Sequence, residues 1–209
     1  GHKFSAFVAQ PTGAVKGSII IVQEIFGINS HIRSVCEQYA SHGFTAIAPA
    51  LFDRISGDVE LEYNADGVKL GLEYKNKIED TVALTDIKAA ANHVSSSNPT
   101  AIVGYCWGGT LAFLAACDLD GISKAIGYYG GGISKNVKKR PQIPTLLHFG
   151  DQDGSIPMDD VDQIVKAHPE IEVHIYEAGH GFNCDVRASY EKSSAELALS
   201  RTLKFLEGA

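Results

Sequence analysis

Thr100-Ala101-Ile102-Val103-Gly104-Tyr105-Cys106-Trp107-Gly108-Gly109-Thr110-Leu111-Ala112-Phe113-Leu114-Ala115-Ala116 joins an apolar run, a glycine-flanked turn and a second apolar run. It reads as strand, tight turn and helix, with the Gly-x-nucleophile-x-Gly form of a nucleophile elbow and cysteine where serine is usual. Glycines at 104 and 108 let the two backbones approach closely. Such a turn holds the Cys106 sulfur clear of the sheet and sets the Trp107 N–H beside it at a helix N-terminus, where negative charge is favoured. The competing reading makes Cys106 a small buried residue, a common fate of free cysteine.

Outward from this stretch the chain alternates. Phe4 to Ala9 is expected as a first strand, closed by Gln10-Pro11-Thr12-Gly13. Ser18 to Val22 is a β-branched run suited to a sheet covered on both faces. A helix over about Ile32 to His42, capped by Asn29 or Ser30 and stopped by Gly43, leads to a strand over Phe44 to Pro49. Ala50 to Lys77 is expected to be a loop or lid. A helix follows over Ile78 to Val94, closed by Ser95-Ser96-Ser97-Asn98-Pro99. Beyond the elbow come strands at Lys124 to Tyr129, Thr145 to Gly150 and Val173 to Tyr176, with helices over Met158 to Ala167 and Glu191 to Glu207. Strand and helix in alternation imply a mostly parallel central sheet with crossover helices on both faces. No linker or repeat divides the 209 residues, so one domain over 1–209 is expected.

Composition narrows the function. A formal net charge of -7 disfavours nucleic acid or an anionic membrane as a general partner. The basic stretch Lys135 to Pro141 has no interleaved aromatics to stack bases and reads as a solvated loop. Four scattered cysteines, Cys36, Cys106, Cys117 and Cys184, give neither a metal-ligand spacing nor a disulfide framework. With no apolar run of membrane-spanning length and no signal peptide, a cytoplasmic protein is expected. No cofactor and no metal are expected, and the expected state is a monomer or weak dimer.

Cys106 in the elbow, Asp153 after a later strand and His180 after the last give the chain order nucleophile, acid, base of α/β-hydrolases. Each sits at the carboxyl end of a strand, so in a parallel sheet all three emerge on one edge. His180 would take the thiol proton and Asp153 would fix its tautomer. The oxyanion donors are expected to be the backbone N–H groups of Ile25 and Trp107. Glu24, directly after a buried strand, is either paired or poised at a site. Arg54, just past a strand end, is either a ligand-binding group or a surface arginine paired with a nearby carboxylate.

Gln23-Glu24-Ile25-Phe26-Gly27, Gly104-Tyr105-Cys106-Trp107-Gly108-Gly109, Gly127-Tyr128-Tyr129-Gly130, Gly150-Asp151-Gln152-Asp153 and Gly179-His180-Gly181-Phe182 resemble the dienelactone hydrolase family. The resemblance implies an α/β-hydrolase without a large cap, the triad Cys106, His180 and Asp153, and hydrolysis of an enol lactone through a thioester. It implies that Glu24 contacts the resting cysteine, that Arg54 binds a substrate carboxylate, and that Tyr128 and Phe26 line the pocket. The family's best-known members carry serine directly after the histidine and a second carboxylate-binding arginine three residues further on. This chain has Gly181 and Cys184 there, and Arg187 is the nearby substitute.

Three functions are compatible with these residues. The first is a cysteine-dependent hydrolase of small, carboxylate-bearing lactones or activated esters. The second is a non-catalytic binder using the same pocket, and the third is a redox-sensing Cys106 thiol. Only the first gives His180 and Asp153 a task.

Overall fold

A computed structural model describes residues 2–94 and 99–208. Its centre is a seven-stranded sheet in the order β1-β3-β2-β4-β5-β6-β7. The strands are β1 (Ala6–Ala9), β2 (Gly17–Val22), β3 (Phe44–Pro49), β4 (Thr100–Tyr105), β5 (Lys124–Tyr128), β6 (Thr145–Gly150) and β7 (Glu172–Tyr176). Only β1 runs antiparallel, against β3, and every other pair is parallel. Every residue of β2, β4 and β6 is buried. That is the condition of a strand covered on both faces and the reason these segments read as continuous apolar runs.

The helices are α1 (Ser30–Ser41), α2 (Ala65–Asn76), α3 (Asp80–Val94), α4 (Trp107–Asp118), α5 (Met158–Ala167) and α6 (Lys192–Glu207). From β2 the chain passes through α1 to β3 on one side, then turns back through α3 to β4 on the other. Right-handed crossovers put α1 on one face and α3, α4 and α5 on the opposite face. α6 joins α1, and residues of both line a shared hollow. The strand order therefore reverses between β2 and β4, and the crevice beyond their carboxyl ends is where open α/β sheets hold ligands.

Local signals explain most boundaries. Asn29 caps α1, its side-chain oxygen accepting from the Ile32 N–H at 3.2 Å, and Gly43 ends the segment at φ +96°. Glu191 caps α6, accepting from the Ser193 and Ser194 amides. The expected closure of α3 at Ser95 to Asn98 lies outside the described residues.

The expected loop over Ala50 to Lys77 is corrected. It contains a 3₁₀ turn, Leu51–Arg54, and the twelve-residue helix α2, capped by the Asn64 side chain on the Gly67 N–H at 2.9 Å. α2 is anchored by glycines instead of an apolar stripe. A Cβ on Gly67 would lie 1.9 Å from the Glu62 carbonyl oxygen, and one on Gly71 would lie 2.0 Å from that of Ile25.

Candidate active site

The elbow is a strained turn held on both sides. Cys106 takes φ +55°, ψ -114°, a conformation L-residues adopt at a cost of about 1–3 kcal/mol. Its N–H donates to the Tyr128 carbonyl at 3.0 Å, and its carbonyl accepts the first helical bond from Thr110 at 3.2 Å. The flanking glycines are sterically required. A Cβ on Gly104 would lie 1.8 Å from the Gly108 carbonyl oxygen, and one on Gly108 would lie 2.3 Å from that of Val22.

The three groups expected to converge do so. His180 Nε2 lies 3.2 Å from the Cys106 Sγ, and His180 Nδ1 lies 2.7 Å from Asp153 Oδ2. The second Asp153 oxygen accepts the Ser155 N–H at 2.8 Å, so this buried carboxylate is satisfied on both sides. The loop carrying His180 is tied by Ser189, whose hydroxyl donates to the His180 carbonyl at 2.7 Å, and the imidazole packs on Tyr129 with centroids 5.1 Å apart. Burial by itself pulls the imidazole pKa down. Hydrogen bonds to Asp153 and Cys106 outweigh it and raise the value to about 10. Below that pH the ring keeps its proton and can donate from both nitrogens.

Burial pushes Cys36, Cys117 and Cys184 up to about 12, leaving them as thiols at neutral pH. All four cysteines are free.

A cleft of about 490 Å³ opens over the sulfur, walled by Ile25, Phe26, Trp107, His180 and Arg187 and by the Val68, Leu72 and Lys75 face of α2. The Trp107 indole stacks on Phe52 and donates from Nε1 to Asp80 at 3.0 Å. Glu24 is fully buried. Its oxygens accept from the Tyr63 hydroxyl at 2.8 Å and from Arg187 Nη1 at 3.2 Å. The Arg187 guanidinium lies over the Phe26 and Tyr63 rings, 5.7 and 5.4 Å from their centroids. Gly181 makes room for it: at φ +77°, a Cβ there would sit 2.4 Å from Arg187 Nη1.

Three expectations drawn from the resemblance are corrected. Glu24 is bonded to Tyr63 and Arg187, while the thiol's hydrogen-bond partner is His180. Arg54 lies outside the cleft lining. Its Nε and Nη2 each reach a carboxylate oxygen of Asp86 at 2.7 Å, a bidentate pair that occupies the fork. Tyr128 does not line the cleft. Its ring is buried against Tyr105, and its hydroxyl pairs with Thr202 at 2.7 Å. Phe26, Ile25 and Trp107 do line it. Tyr63 and the α2 residues Val68, Leu72 and Lys75 are further site residues beyond those the sequence motifs mark. Their signal was available in Asn64 as a cap followed by Val68, Leu72 and Lys75 at helical spacing.

Among the described residues, the His, Cys and acidic donors close enough to share an ion are His31, Cys184 and Asp185, all within 4.8 Å. His31 Nδ1 is already 3.1 Å from Asp185 Oδ1, which satisfies one ring nitrogen without an ion. No helix among the described residues is long and apolar enough to cross a membrane.

Comparison with known proteins agrees with the geometry. A family model described as the dienelactone hydrolase family matches residues 4–209. A carboxymethylenebutenolidase of Pseudomonas putida is 37% identical over 99% of this chain and 92% of its own length. A putative carboxymethylenebutenolidase of Synechocystis is 32% identical over 92% of this chain and 87% of its own. The crystal structure of a putative dienelactone hydrolase from Klebsiella pneumoniae superposes with a TM-score of 0.87 at 30% identity, covering 100% of this chain and 95% of that one.

Proposed function

Because the chain belongs to the dienelactone hydrolase family, we propose that it is a cysteine-dependent hydrolase of small enol lactones and activated carboxylic esters, acting through a thioester. The observation that carries this reading is the hydrogen-bonded series Cys106, His180, Asp153 opening into the cleft.

In the proposed reaction the Cys106 sulfur attacks the ester carbonyl carbon, with its proton held on His180 Nε2. Negative charge gathers on the former carbonyl oxygen, and the Ile25 and Trp107 backbone N–H groups receive it. The first-turn amides of a helix have no intrahelical acceptor, which leaves Trp107 available. Collapse of the intermediate forms the thioester and breaks the C–O bond, and the Nε2 proton passes to the leaving oxygen. Water then gives a proton to Nε2 and attacks the thioester carbon. The sulfur leaves and recovers the proton. Asp153 holds the imidazole in the tautomer that keeps Nε2 facing the sulfur. Glu24 and Arg187 act as a pair, Arg187 offering its remaining N–H groups to a substrate carboxylate.

Cysteine restricts the substrates. From the tetrahedral intermediate a thiolate, with a parent pKa of about 8.5, departs more readily than a strongly basic alkoxide, so unactivated alkyl esters revert. An enolate or aryloxide competes successfully. A panel of enol lactones, aryl esters and alkyl esters tests this: turnover of the first two classes is expected, with alkyl esters far slower. Comparable rates for all three, or no turnover of any, would sink the reading.

A further inference from the structure

Outside the cleft, three donors of different kinds meet. The turn between His180 and Arg187 carries Cys184 and Asp185, and the first turn of α1 brings His31 to them, so that one donor atom of each lies within 4.8 Å of the others. His31 and Asp185 stand 154 residues apart in the chain, a separation in which no ligand spacing can be read. The triad cannot hold an ion in the same way, because Cys106 and Asp153 sit at opposite nitrogens of His180.

The His31 side chain is only 4% exposed. Its Nδ1 lies 3.1 Å from Asp185 Oδ1, close to the separation of about 3.3 Å between two ligands of one tetrahedral zinc with bonds of about 2.0–2.1 Å. Its Nε2 is buried and has no hydrogen-bond partner among the described residues, a condition that buried polar groups rarely keep. His31 and Asp185 also border a hollow of about 120 Å³ together with Asn183 and Glu196. That polar hollow has room for waters that complete a coordination sphere and accept from Nε2. Cys184 is fully buried, and burial, then the Glu24 charge, hold it as a thiol until a metal displaces the proton.

We propose that His31, Cys184 and Asp185 form a binding site for a thiophilic divalent cation of the zinc class. The Cys184 S–H bond breaks, its proton goes to solvent, and the sulfur binds the ion beside His31 Nδ1 and an Asp185 oxygen. One thiolate and one carboxylate balance the two charges of the ion, and thiolate with imidazole selects zinc over magnesium or calcium. The donors must close by up to about 1 Å to reach zinc's bond lengths. Asp185, 60% exposed on a turn, is free to make that movement. Bound there, the ion fastens the turn between His180 and Arg187 to the start of α1. The site is separate from the hydrolase chemistry proposed above, and its test needs no turnover.

The metal-free full chain is titrated with Zn(II) by calorimetry, and with Cd(II) while the ultraviolet thiolate-to-metal charge-transfer band is recorded. Wild type is expected to take up one ion per chain with a Kd of about micromolar or tighter, releasing a proton and showing the band. Cys106→Ala should behave as wild type. Cys184→Ser should lose the band and bind Zn(II) at least about a hundredfold more weakly, since even an outer-shell partner of a ligand is worth ten- to a hundredfold. Asp185→Ala, at an exposed position that the fold does not need, should weaken binding by about tenfold or more and decides the matter if Cys184→Ser fails to fold. Absence of uptake by wild type overturns the proposal. So does uptake lost in Cys106→Ala but kept in Cys184→Ser, or an affinity that Asp185→Ala leaves unchanged.

Discussion

Across the cleft, the β4–α4 elbow and the face of α2 are held by different forces. The elbow is fixed by backbone contacts on every side: the Tyr128 carbonyl, the first bond of α4, and glycines whose missing Cβ atoms would lie within about 2.5 Å of neighbouring carbonyls. Nothing there can shift without moving the sheet. α2 fully buries only Gly67 and Gly71, packs Tyr74 edge-on against Phe52, and leaves Val68 and Leu72 largely exposed. The exposed side chains of this wall can be altered with little effect on the fold, whereas the nucleophile's position cannot. One side of the cleft sets the chemistry, and the other is free to set which molecule undergoes it.

Substitutions sharpen the contrast. Cys106→Ala should lower turnover of activated esters by at least about a thousandfold with an unchanged melting midpoint, measured by steady-state kinetics and calorimetry. Unchanged activity would end the elbow's catalytic role. Asp153→Asn should cost about a hundredfold or more in kcat by releasing the imidazole tautomer, with a smaller change in KM. Gly104→Ala should destabilise by about 3 kcal/mol in urea titrations because backbone must move. Leu72→Ala should shift substrate preference and KM more than stability, because Leu72 is 46% exposed on the cleft face, and a loss of stability equal to that of Gly104→Ala would erase the distinction. The stability that His180 contributes has a definite pH window. Its folded pKa is raised from 6.5 to about 10, so the advantage of wild type over His180→Gln is full below about pH 6.5. It fades as pH rises through about 10. On KM the smallest effect belongs to Arg54→Met, which should leave KM for carboxylate-bearing esters unchanged while lowering stability, because buried Asp86 is stranded.

What the sequence made legible followed from the same contrast. β2, β4 and β6 are buried throughout, so each is written as an apolar run, and the elbow's glycines are obligatory and therefore visible. The order Cys106, Asp153, His180 could be read because parallel strands send their carboxyl ends to one edge. α2 is marked in the sequence only by its Asn64 cap and the spacing of Val68, Leu72 and Lys75, because its buried residues, Gly67 and Gly71, contribute no hydrophobic period and Val68 and Leu72 face the cleft. The Arg54 partner was hidden because Asp86 occupies a buried position on α3, where an apolar residue is the usual occupant. Tyr128 and Tyr129 are adjacent and equally aromatic. Which of them meets His180 is decided by the left-handed turn at Tyr129, φ +39°, that ends β5.

The space that Gly181 leaves to Arg187 has a historical implication. A serine at this position would meet the Arg187 side chain in the place it occupies and would strain a left-handed backbone. The two side chains are rivals for one volume. A lineage moving between the serine-bearing arrangement and this one must vacate the position before the downstream guanidinium can settle there. Introducing serine into this protein should evict the guanidinium and leave Glu24 with Tyr63 alone. Exchange of single residues between relatives of the two kinds is therefore expected to fail where paired exchange succeeds.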